Sequence, residues 1–109
     1  MENKILIYSA SISPIKCKHY WGCQLELFYE ESIWKIELTD IYARDRYNDG
    51  EIKRSVILPE QFPDISIQEL KKFIEKIDCG GPNQYVFETP CREMKDIDAE
   101  KILQAAKNK

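Results

Sequence analysis

Between Gln24 and Leu58 apolar and polar residues alternate with a period of two. That period places successive side chains on opposite faces of a sheet, and here it predicts strands with one buried and one solvated side. Gln24–Glu30, Ile33–Tyr42 and Glu51–Leu58 form three such segments, the pattern of an antiparallel meander. Leu25, Leu27 and Tyr29 fall on one side of the first segment, and Glu26, Phe28 and Glu30 on the other. On the second, Trp34, Ile36 and Leu38 share a face, while Lys35, Glu37 and Thr39 point away. Glu31-Ser32 is an acceptable turn with no special signal. Asn48-Asp49-Gly50, closing the polar tip from Arg44 to Gly50, carries a stronger one, because these residue types tolerate positive φ.

Before the meander, Lys4–Ala10 reads as a first strand, ended by Ser11-Ile12-Ser13-Pro14, since proline cannot donate to a ladder. Ile15–Gly22 has no clear period and reads as a loop or an irregular edge strand. After the meander, Pro59 and Pro63 bracket a linker. Ser66-Ile67-Gln68-Glu69 is then a capping box, with Ile65 and Leu70 at the hydrophobic-staple positions. Ile67, Leu70, Phe73, Ile74 and Ile77 continue as a stripe of helical period. Cys79-Gly80-Gly81-Pro82 is the expected stop.

Gln84–Thr89 reads as a fifth short strand, ended by Pro90. A last helix is expected from Asp96 or Asp98 to Lys107, with Ala99, Ile102, Leu103 and Ala106 on one face. Acidic residues at its start and lysines at its end suit the helix dipole. The order β-β-β-β-α-β-α predicts an α+β fold: an antiparallel or mixed sheet of about five strands with two helices on one face.

Composition narrows the class. A chain of 109 residues is expected to form one domain, residues 1–109. Its 43% hydrophobic and 11% aromatic content is that of a globular protein. Sixteen Lys and Arg against 19 Asp and Glu give a net charge of −3, which disfavours a general attraction to nucleic acid or anionic membrane. No run approaches a transmembrane span, and Ile5-Leu6-Ile7-Tyr8 is too short for a signal peptide. The expected location is the cytoplasm, where Cys17, Cys23, Cys79 and Cys91 would be mostly reduced. In an oxidising compartment the same four would permit two disulfides in any of three pairings.

Candidate chemistry is sparse. Cys17, His19 and Cys23 lie close together, and zinc accepts such ligands. Their spacing is not that of a usual knuckle, and Cys79 and Cys91 add no second close pair; buried small hydrophobes are the simpler reading. Lys16, Lys18 and His19 around Cys17 could lower its pKa, but a thiol enzyme also needs an orienting group and oxyanion donors in recognisable context. Gly80-Gly81-Pro82 lacks the lysine of a phosphate loop. Tyr20-Trp21 could form a ligand platform, though a core or lid role is commoner. No catalytic residue, metal or cofactor is expected.

Glu26, Glu30, Glu31, Glu37 and Asp40 cluster on the meander, with only Lys35 in opposition. Such a cluster is either a solvated face that discourages aggregation or a negative patch that docks on a basic partner. The tip adds Tyr42, Arg44, Arg46, Tyr47 and Asp49. Tyr and Arg are enriched at interface hot spots, whereas the local acids repel phosphate and weaken an RNA reading. The sequence therefore favours a small non-enzymatic protein-binding module of inhibitor or immunity type, acting on a toxin, nuclease or defence protein. A Cys/His metal or thiol enzyme and an RNA- or DNA-binding module are the alternatives. Homodimerisation through an edge strand is open to a sheet of this kind.

Overall fold

The computed structural model describes residues 4–12, 20–43, 49–77 and 94–109. They form four strands, β1 (Ile5–Ile12), β2 (Tyr20–Glu30), β3 (Ile33–Ala43) and β4 (Asp49–Ile57), followed by helices α1 (Ile67–Glu75) and α2 (Asp96–Lys107). The fold is α+β. Its strands pair in chain order β1-β2-β3-β4, every pair antiparallel. The sheet thus has four strands among the described residues, against the expected five; the segment read as a fifth strand, Gln84–Thr89, lies outside them.

The alternation of β2 and β3 is realised in the register. Leu25 stands opposite Leu38 and Leu27 opposite Ile36, and all four side chains are fully buried. Leu70 and Ile74 of α1, and Ala99, Ile102, Leu103 and Ala106 of α2, join them in one cluster. Both helices therefore cover the same side of the sheet. Burying a Leu or Ile side chain stabilises a fold by about 1.5 to 3 kcal/mol, so this layer dominates the energetics.

The start of α1 follows the capping box. Ser66 Oγ accepts the Glu69 N–H at 3.1 Å, and the Glu69 carboxylate turns back to accept from the same hydroxyl at 3.3 Å. Its end departs from expectation. The helix stops at Glu75, short of Cys79, where the Ile77 N–H bonds the Ile74 carbonyl and tightens the last turn. The helices are tied by Lys71 to Asp96 at 2.6 Å and by the Met94 N–H to the Glu75 carboxylate at 3.0 Å.

Three other boundaries shift. β1 runs on through Ser11 and Ile12, which pair with Gln24 and Cys23, and Ile12 is buried, so the strand reaches two residues beyond Ala10. β2 begins at Tyr20, within the segment of no clear period, with a register shift before Gly22. Asp49 and Gly50 are strand residues opposite Ala43 and Tyr42, so they extend the ladder where turn residues were expected.

Candidate protein interface

Register assigns the second sheet face row by row. Ser11, Gln24, Thr39 and Lys53 align across the four strands; beside them run Ser9, Glu26, Glu37 and Ser55, then Leu6, Phe28, Lys35 and Ile57. No described element covers this face. Its first row is hydrogen-bonded locally: Ser11 donates to the Gln24 side chain at 3.1 Å, and Gln24 donates to Ser9 at 2.8 Å.

The acidic row is partly neutralised. Glu26 and Glu37 stand directly opposite each other, an arrangement that like charges disfavour. Lys4 relieves it by pairing with Glu37 while lying 4.2 Å over the Phe28 ring. Lys35 pairs with Glu30 at 2.8 Å. Lys35 is therefore not the sole opposing cation, since Lys4 reaches the patch from β1 and Lys53 flanks it on β4. Glu26 has no side-chain partner among the described residues, and Glu31 is exposed at the β2–β3 turn.

Asp40 does not belong to this patch. It stands opposite Cys23 and Ile52 on the helix-covered side and is only 2% exposed. Arg54, opposite Leu38, lies on that same side. The acidic cluster read from the sequence is thus split between the two faces, because the strand period sends Asp40 inward with Leu38 and Ile36.

Phe28 was expected on this side, but the apolar strip it belongs to was not legible beforehand. Leu6, Ile33 and Ile57 are 51%, 42% and 60% exposed, and Phe28 lies between Leu6 and Lys35 in the ladder. Ile5-Leu6-Ile7-Tyr8 and Val56-Ile57-Leu58 are continuous apolar runs, so alternation cannot say which member faces out. Beside the strip is a recess of about 260 Å³ lined by Ser32, Ile33, Trp34, Ile57, Pro59 and Phe62. Trp34 anchors it between Tyr29, at a ring-centroid distance of 4.7 Å, and Phe62 at 5.4 Å.

The tip is only partly placed. Backbone register sets Tyr42 and Asp49 at the paired ends of β3 and β4, while Arg44, Arg46 and Tyr47 lie outside the described residues. Cys17 and His19 also lie outside them, and Cys23 is part of the buried cluster. Among the described residues no group of three metal-ligating side chains occurs, and no helix is long and apolar enough to cross a membrane. No family model matches the chain, and comparison with curated proteins and with solved structures finds no significant match.

Proposed function

We propose that the chain is a small non-enzymatic protein-binding module of inhibitor or immunity type. It neutralises a partner protein with a basic surface, such as a toxin, a nuclease or a defence protein, through the open sheet face and the Arg/Tyr-rich tip. One observation carries this reading: an apolar strip, with Leu6, Ile33 and Ile57 exposed and Phe28 half-buried beneath Lys4, runs beside an acidic row on a face that no described element covers. Apolar surface rimmed by charge is the anatomy of a protein interface. The strip supplies desolvated contact area, while Glu26 and Glu31 steer a cationic partner and set its orientation. Arg44, Arg46, Tyr42 and Tyr47 contribute the residue types that dominate binding hot spots.

The test is affinity capture from the native host with the full chain. Wild type is compared with Leu6→Ser/Ile57→Ser, Glu26→Lys and Arg44→Ala/Arg46→Ala. The expected result is one basic partner, its activity suppressed by an equimolar amount of the chain, and weaker capture by each variant. Equal recovery of that partner by all three variants would remove the face and the tip as its contact surface.

A further inference from the structure

The linker between β4 and α1 builds a recess at the end of the β3–β4 ladder. The Leu58 N–H donates to the Trp34 carbonyl at 3.0 Å, and the Phe62 N–H donates to the Pro59 carbonyl at 3.0 Å. The second bond closes a turn that sets the buried Phe62 against the Trp34 ring, which also packs on Tyr29. Backbone hydrogen bonds and core packing therefore hold the walls in place. A volume of about 260 Å³ lies below the range of about 300 to 1,000 Å³ usual for small-molecule sites, and suits a single side chain.

The lining combines two kinds of surface. The exposed Ile33 and Ile57 offer apolar walls that an occupant would shield from water. Glu60 is the only ionisable residue of the lining; it is exposed and has no side-chain partner among the described residues. Glu31, which precedes Ser32 of the lining, is exposed and equally unpartnered among them. Lys35, the cation opposite Ile57 in the ladder, is committed to Glu30 at 2.8 Å.

We infer that this recess takes one lysine or arginine side chain of the partner protein. The inference rests on the reading of the chain as a module for a basic partner, and names how that partner is held. Lys and Arg lay their aliphatic stems on apolar surface and keep the charged head in polar surroundings. The stem covers Ile33 and Ile57, and the head meets the Glu60 carboxylate in a charge-assisted hydrogen bond. A leucine side chain would fill the same walls and leave Glu60 without a counter-ion. An acidic one would meet like charge at Glu60 and Glu31.

The test titrates the full chain with acetyl-Gly-Arg-Gly-amide and acetyl-Gly-Lys-Gly-amide, with Leu and Glu at the central position as controls. Binding is read from the amide resonances of Ile33, Ile57 and Glu60 up to about 50 mM peptide, since one side chain binds only in the millimolar range. The cationic peptides should bind about fivefold more tightly than the Leu peptide, and the Glu peptide should not bind. Glu60→Gln should remove that advantage and leave the Leu peptide unchanged. No shifts with the cationic peptides, or equal affinity for the Leu peptide, overturns the proposal. This arm needs no partner, so its outcome is separate from that of capture from the host. Glu60→Lys should also capture the host partner more weakly, at an unchanged unfolding midpoint. A partner captured equally by Glu60→Lys and wild type overturns the recess as its anchor and leaves the inhibitor reading in place.

Discussion

Ser66 decides where α1 begins through one hydroxyl, which satisfies a backbone N–H that the first turn would otherwise leave unpaired. Replacing it with alanine should cost about 1 kcal/mol, read as a lower denaturation midpoint with unchanged slope. An unchanged midpoint would mean that the cap contributes nothing. This residue was legible because capping depends on local chemistry at fixed spacing. Tyr8 was not, because its surroundings come from a distant helix. Burial first, and the Asp98 carboxylate second, hold its phenol above the ordinary value of 10.0. A raised pKa means that the fold favours the neutral phenol. Its stabilising contribution is therefore complete below pH 10 and is lost as the pH climbs through the folded-state value. Above about pH 10, wild type should lose thermal stability more steeply than Tyr8→Phe, and Asp98→Asn should fall between them. Equal slopes for wild type and Tyr8→Phe would remove Tyr8 as the cause.

Among the elements, the β2–β3 hairpin shows where local signals mislead. Glu31 and Ser32 both have positive φ, 49° and 68°, in the two-residue turn between the strands. Such turns match the twist of their strands, but Asn-Gly adopts them far more readily than Glu-Ser. Long-range pairing of β2 with β3 therefore imposes a conformation that the turn residues resist. Glu31→Asn/Ser32→Gly should stabilise the fold by about 1 to 2 kcal/mol, measured by chemical denaturation. No gain would mean that the turn is held without strain. The converse holds for Asn48-Asp49-Gly50, where good turn chemistry is overridden as Asp49 and Gly50 join the ladder. Helix positions were read more closely: α2 buries Ala99, Ile102, Leu103 and Ala106, the four residues its period selected. A helical stripe is defined within one segment, whereas strand ends depend on what the neighbouring strand offers.

For the whole molecule, the sheet divides labour between its faces. Ile36 and Leu38 look into the helices, while Leu6, Phe28 and Ile57 share the other side with Glu26 and Glu37. The inward set was legible because it alternates cleanly. Phe28 was read as outward by the same alternation, but Leu6 and Ile57 were hidden in runs without alternation, and Asp40 was misplaced because residue type alone suggested an outward carboxylate. If one face is scaffold and the other docks a partner, truncating outward side chains should separate binding from folding. Exposed substitutions of this kind change stability by only about 0.5 kcal/mol, whereas the loss of an interface anchor costs more than about 1 kcal/mol. The most direct measurement is the affinity of Leu6→Ser/Ile57→Ser for the captured partner, taken beside its unfolding midpoint. A docking face predicts roughly tenfold weaker binding with a near wild-type midpoint. Wild-type affinity at that same midpoint would contradict it.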